Sequence, residues 1–266
     1  MIRDITLGQY YPSNSILHRL DPRVKLVGTL AFLITLFVGN NIIIYALATI
    51  FLVAVIKISK VPFKFMIKGL KSIMLLLLIS VGFNVFLTQG EVLVKIGILK
   101  ITREGLETAI FMAVRLSYLI VGSSIMTLTT TPNDLTDGME KGLSILKYIK
   151  VPVHEISMMM SIALRFIPIL IEETDKIMKA QIARGADFET GGMVKKIKAM
   201  VPLLVPLFIS AFRRANDLAM AMEARCYTGG DGRTKMKPLK YGKNDAIAYA
   251  ILIIYVGLII AVKVIV

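Results

Sequence analysis

The sequence predicts an all-α polytopic membrane protein, with about five transmembrane helices and a cytoplasmic module of long amphipathic helices. Three observations carry that prediction. Hydrophobic residues make up 56% of the 266-residue chain and the mean hydropathy is +0.72, more than a soluble domain of this size can bury. The apolar residues gather in blocks at 26–38, 42–56, 73–87, 109–128 and 246–262, each near the length that crosses a hydrocarbon layer of about 30 Å. The charges alternate between basic and neutral connecting segments, as the excess of Lys and Arg in cytoplasmic loops demands.

The elements follow in order. Residues 1–20 are a polar lead without a cleavable signal pattern. Asp21-Pro22 opens the first helix, with Asp as N-cap and Pro at the first helical position, where no amide hydrogen is needed. Only Gly39-Asn40-Asn41 separates the first two blocks, so they form a helical hairpin. The next link carries Lys57, Lys60, Lys64, Lys68 and Lys71 and no acid. That spacing places them on one face, expected to lie on anionic lipid headgroups. The run 93–102 reads as a small hairpin around Gly97. The block 109–128 contains Arg115 about one-third of the way in; a charge costs about 2.5–3.5 kcal/mol at a helix centre, so it should snorkel or pair with a polar group. The pattern puts the N-terminus and the Lys-rich link inside, Asn40 and 89–108 outside, and the C-terminus outside. Residues 1–128 then hold the lead and four spans, 129–245 the cytoplasmic module, and 246–266 the last span.

Between Thr129 and Asp245 the chain changes character, with 18 Lys and Arg against 13 Asp and Glu at helical spacing among apolar residues. Thr131-Pro132-Asn133-Asp134 resembles a capping box with Asp in place of Glu. A long helix starts at Pro152 and runs towards Gly185. Its broad apolar face is Ile156, Met159, Met160, Ala163, Ile167, Leu170, Thr174, Ile177 and Met178, and Pro168 should kink it. The pairs Glu172–Lys176 and Asp175–Lys179 have the favourable i,i+4 order. A second long helix begins near Lys195 and passes Pro202 and Pro206 to Arg225.

Several function classes drop out. The formal charge of +14 is membrane topology rather than a nucleic-acid footprint. One cysteine and two isolated histidines, His18 and His154, leave no expected metal site, and no cofactor is implied. No Gly-x-x-x-x-Gly-Lys-Ser/Thr loop exists for ATP. The acidic run Asp134, Asp137, Glu140 is the best opening for an integral membrane enzyme, but acids are stabilising in the first turns of a helix without any catalytic role.

What remains is a near-repeat. One long helix ends Ala180-Gln181-Ile182-Ala183-Arg184-Gly185 and the next ends Ala221-Met222-Glu223-Ala224-Arg225-Cys226. Singly, each is explained by an Arg complementing the negative end of the helix dipole and, in the first, a Gly stop. Together they present two guanidinium forks flanked by small residues on the same side of the membrane, and such a fork suits a carboxylate on a partner.

With Tyr11-Pro12-Ser13-Asn14-Ser15, Leu20-Asp21-Pro22-Arg23-Val24-Lys25-Leu26, Thr129-Thr130-Thr131-Pro132-Asn133-Asp134-Leu135 and Leu164-Arg165-Phe166-Ile167-Pro168, these ends make the whole chain resemble the T component (EcfT) of energy-coupling factor transporters, modular ABC importers of vitamins. The match is closest to the shared type, which serves several substrate subunits; a T component of a dedicated cobalt or nickel importer is the alternative. The resemblance implies that Ala183, Arg184 and Gly185, and Ala224, Arg225 and Cys226, form the ATPase-coupling motifs. Arg184 and Arg225 would dock on two ABC ATPase subunits of the EcfA and EcfA′ type. The long helices would be levers moving an interchangeable vitamin-binding S component. The family's second motif ends in Gly where this chain has Cys226; if that position is left-handed, a side chain there costs on the order of 1 kcal/mol.

Overall fold

The structure, a computed structural model, describes residues 10–96, 99–186, 188, 192–229 and 238–265. It divides into two compact units, one of Gly8–Lys141 with Leu239–Val266 and one containing Gly142–Pro238.

The first unit is a helical bundle. Helix α1 (Ile16–Arg19) leads into α2 (Pro22–Thr35), α3 (Ile42–Ser59) and α4 (Phe63–Leu87). Strands β1 (Val92–Ile96) and β2 (Leu99–Thr102) pair antiparallel, and the turn residues Gly97 and Ile98 lie outside the described residues. Helix α5 (Arg103–Thr129), α6 (Pro132–Gly142) and α9 (Lys243–Ile265) complete it. Local chemistry sets the ends. Asp21 Oδ1 accepts the Arg23 amide at 2.9 Å and Asn41 caps α3 through the Ile43 amide at 3.1 Å. Thr131 Oγ1 accepts the Asp134 amide at 3.1 Å and donates back to the Asp134 carboxylate at 2.7 Å. The shorter Asp thus closes the box on the cap hydroxyl rather than on its amide.

The Lys-rich link is not a separate surface segment. Lys57 ends α3, Lys60 caps it in the left-handed region at φ +56, and Lys64, Lys68 and Lys71 belong to the opening turns of α4. Past Pro62 no further proline interrupts the chain until after Leu87, so α4 runs as one helix.

The helical hairpin of α2 and α3 is closed by the last helix. The rings of Phe32 and Phe51 stack at 5.8 Å, and Tyr255 of α9 stacks on Phe51 at 4.3 Å. Tyr255 Oη and Thr35 Oγ1 share a hydrogen bond of 2.9 Å. Leu36, Ile44, Ala48, Leu52, Ile125 and Ile259 fill the space around them. Helix α5 comes close enough to α2 that a Cβ on Gly122 would stand 2.8 Å from the Phe32 ring.

The start of α9 is tied to the start of α2 by a buried polar knot. Asp245 Oδ1 accepts the Asp21 amide at 2.8 Å and Oδ2 accepts the Gly242 amide at 2.7 Å. The Arg23 guanidinium bonds Asp21 and lies 4.0 Å from the centre of the Tyr241 ring. Lys25 Nζ donates to Thr129 O at 2.9 Å and His18 O at 3.2 Å. Burial works against the Asp21 carboxylate, but the hydrogen bonds and charge of Arg23 outweigh it and hold the group below its usual range.

Outward, the bundle exposes large apolar side chains such as Ile34, Ile50, Leu75, Leu87, Ile253 and Val264, the surface expected of a protein solvated by lipid. The helices Ile42–Ser59, Arg103–Thr129, Val153–Ala183 and Lys243–Ile265 are each long and apolar enough to cross a membrane. The third of these is a departure, since its interleaved charges predict an amphipathic helix rather than a span. Its apolar character is concentrated before Glu172, where 153–171 carries only Glu155 and Arg165 as formal charges.

The second unit holds a 3₁₀ turn at Leu143–Ile149, helix α7 (Val153–Ala183) and helix α8 (Met193–Ala224). Helix α7 continues through Pro168, and α8 through Pro202 and Pro206.

Candidate functional site

The two helix ends of the second unit are built alike. Helix α7 closes on Ala183 with Arg184 as C-cap, and α8 closes on Ala224 with Arg225 as C-cap. The Gly185 amide donates to Ile182 O at 2.9 Å and the Ala186 amide to Gln181 O at 3.0 Å. At the other end the Cys226 amide donates to Glu223 O at 2.8 Å and the Tyr227 amide to Met222 O at 3.1 Å. Each is a complete Schellman closure, which requires a left-handed residue just past the cap. Gly185 takes φ +87 and Cys226 takes φ +55. The expectation for Cys226 thus holds: a side chain occupies a conformation that favours glycine.

Ala183, Arg184, Gly185, Ala224, Arg225 and Cys226 are all exposed. Both arginines therefore stand at rigid helix ends with small neighbours and open approach.

Two contacts set their relation. Gln181 Nε2 donates to Pro202 O at 3.4 Å, and Arg214 bridges to Glu173 at 3.3 Å. Moving forward along α7 moves backward along α8, so the helices are antiparallel. Arg184 is eleven residues beyond Glu173 and Arg225 eleven beyond Arg214. At a rise of 1.5 Å per residue the two arginines lie roughly 30 Å apart, on opposite sides of that bridge. They are not neighbours; they mark the two ends of one pair of rods.

Ile162, Phe166 and Leu170 of α7 line a cavity of about 250 Å³ with Ala211, Ala215, Leu218, Ala219 and Met222 of α8. Of the broad apolar face of α7, Leu170 lines this cavity, while Ile156, Met159 and Met160 are exposed. Of the two helical charge pairs, Asp175–Lys179 closes at 2.7 Å. Arg214 adds the cross-helix bridge, which the sequence analysis did not foresee.

A second feature is also new. Val194, Ile197, Val201, Leu204, Val205, Phe208 and Phe212 of α8 are exposed, with Phe208 at 61% and Phe212 at 69%. Their spacing of three and four residues is that of one helical face. Chemically the unit offers binding. Two guanidiniums can hold carboxylates or helix ends of a partner, and an apolar ridge can bury against another membrane protein.

Comparison with known proteins adds a family model and three relatives. The family model described as cobalt transport protein (CbiQ) matches residues 13–236. The chain is 56% identical over 250 residues to the energy-coupling factor transporter transmembrane protein EcfT of Clostridium kluyveri, covering 93% of each chain. It is 50% identical over 263 residues to the protein of that name from Ruminiclostridium cellulolyticum, covering 99% of this chain and 98% of the other. With that of Bacillus subtilis it shares 48% identity over 256 residues, 96% of this chain and 97% of the other.

Proposed function

The chain belongs to the CbiQ/EcfT family of energy-coupling factor transporter membrane components, and on that premise we propose that it couples two ABC ATPases to a vitamin-binding S component. It is a membrane-embedded transport subunit and not an enzyme. The observation that carries the proposal is the pair of exposed Ala-Arg ends with matching closures, one on each long helix. Arg184 and Arg225 each dock on one ATPase subunit, of the EcfA and EcfA′ type. Nucleotide-driven motion of those subunits moves α7 and α8 as levers. The apolar ridge of α8 suits burial against an interchangeable S component, which holds the vitamin. The charge pattern of the connecting segments supports an N-terminus and a coupling module on the cytoplasmic side. In this reading residues 129–245 form that module, between four spans in 1–128 and a last one in 246–266.

The test replaces both arginines, Arg184→Glu and Arg225→Glu. Vitamin uptake should be abolished and the ATPases should no longer co-purify, while the chain still inserts in the membrane. Normal uptake by the double variant overturns the proposal. The description of the matching family model supports a second reading, a T component dedicated to cobalt or nickel. In that case, uptake of the metal ion and not of vitamins is what depends on the two arginines.

A further inference from the structure

Arg115 stands outside the coupling machinery, twelve residues into α5 and therefore about 18 Å from the first residue of that helix. Its guanidinium is held on two sides. Nε donates to Tyr45 Oη at 2.9 Å, and one terminal nitrogen donates to Asn40 Oδ1 in the α2–α3 link. The Phe37 ring lies 5.1 Å from its central carbon, a cation–π distance. Tyr45 is itself buried and packed on Phe111 with ring centres 5.3 Å apart, so the hydroxyl that orients the guanidinium is fixed.

These contacts use two of the five N–H groups and one face. The edge formed by the two terminal nitrogens keeps three donors, and no described carboxylate pairs with it. The Phe37 ring against the guanidinium is itself exposed, and the elements that carry the site expose Ile34 of α2, Ile43 of α3 and Ile110 of α5. A cation in such a setting is costly unless an anion reaches it. Two parallel N–H donors match two oxygens of a phosphate diester.

We propose that Arg115, oriented by Tyr45 and Asn40, is a binding site for the phosphate of a phospholipid in the leaflet that contains the α2–α3 link. Lipid is favoured over a partner's carboxylate because the Phe37 ring against the guanidinium is exposed and α2, α3 and α5 expose further apolar side chains, which acyl chains cover while the phosphate meets the guanidinium. The site requires the phosphate and not a net negative headgroup, so phosphatidylglycerol and phosphatidylcholine both fit.

Native mass spectrometry of the full chain in detergent tests this, with phosphatidylglycerol, phosphatidylcholine and a diacylglycerol of the same chains added separately. The wild type should retain one molecule of either phospholipid that Arg115→Gln binds about tenfold more weakly or worse. Diacylglycerol should show no difference between the two proteins. Tyr45→Phe, which leaves the charge and frees its orientation, should weaken retention by a smaller factor and serves as the readout if Arg115→Gln fails to insert. Equal phospholipid retention by wild type and variants overturns the proposal. So does displacement of the lipid by an equal concentration of inorganic phosphate, which would make this a free-anion site. Loss of the lipid on assembly with partner subunits, together with failure of Arg115→Gln to assemble, would instead assign the edge to a partner carboxylate.

Discussion

Cys226 offers a direct measurement of what its helix closure costs. Replacing it with glycine keeps both Schellman bonds and removes only the side chain at φ +55. Relief of the left-handed penalty is about 1–2 kcal/mol, and the extra freedom glycine gives the open chain takes back about 0.4–1 kcal/mol. The net is a gain of about 0.5–1 kcal/mol. Read locally, that slows opening of the α8 end by about two- to fivefold, since 1.4 kcal/mol corresponds to a factor of ten. Hydrogen exchange of the Tyr227 amide, which closes onto Met222 O at 3.1 Å, reports that opening. The mirror variant Gly185→Ala puts a Cβ at φ +87 and should speed exchange of the Ala186 amide by a similar factor. Cys226→Ala should behave as wild type, because the strain belongs to the Cβ and not to the sulfur. Unchanged or faster Tyr227 exchange in Cys226→Gly refutes the reasoning.

Other outcomes follow from the packing. Asp245→Ala leaves the buried Asp21 amide without its acceptor at 2.8 Å and should cost about 1–3 kcal/mol, seen as a lower thermal midpoint of the purified chain. Gly122→Val drives a side chain towards the Phe32 ring, 2.8 Å from the first added atom, and should cost about 1–3 kcal/mol by overpacking, read in the same melt. Arg214→Ala removes a half-exposed bridge to Glu173; its loss should change stability by no more than about 1 kcal/mol, while ATPase-driven uptake falls further than that stability change would account for. Ala219→Leu fills part of the cavity between α7 and α8 and should protect the α7 amides near Phe166 from exchange.

What was legible in the sequence was local. Asp21-Pro22 and Thr131-Pro132-Asn133-Asp134 announce helix starts because the capping partners lie within three residues. The Ala-Arg ends were legible for the same reason. The partners of Arg115 were not, because they arrive from 70 and 75 residues away. The Asp21–Asp245 contact joins positions 224 apart, and nothing near either residue marks it. Which part of the broad apolar face of α7 lines the cavity against α8 was not legible for a different reason. In a helix that is apolar on more than one side, periodicity alone does not tell which side meets a helix and which meets lipid or a partner.

The equal spacing of the two arginines from the Glu173–Arg214 bridge relates the antiparallel helices α7 and α8 by an approximate two-fold in register through that bridge. A half-turn about it carries Glu173 onto Arg214 and Arg184 onto Arg225, a shift of 41 positions in each case. A single chain thereby presents the same Ala-x-x-Ala-Arg end twice, related as the halves of a dimer are related. A partner assembled from two like subunits carries such an axis of its own, and when the two axes coincide one subunit in one copy engages both halves equivalently. The symmetry is broken in the side chains beside each arginine, Gln181-Ile182 and Gly185 against Met222-Glu223 and Cys226, so the two engagements are alike in geometry and distinguishable in chemistry.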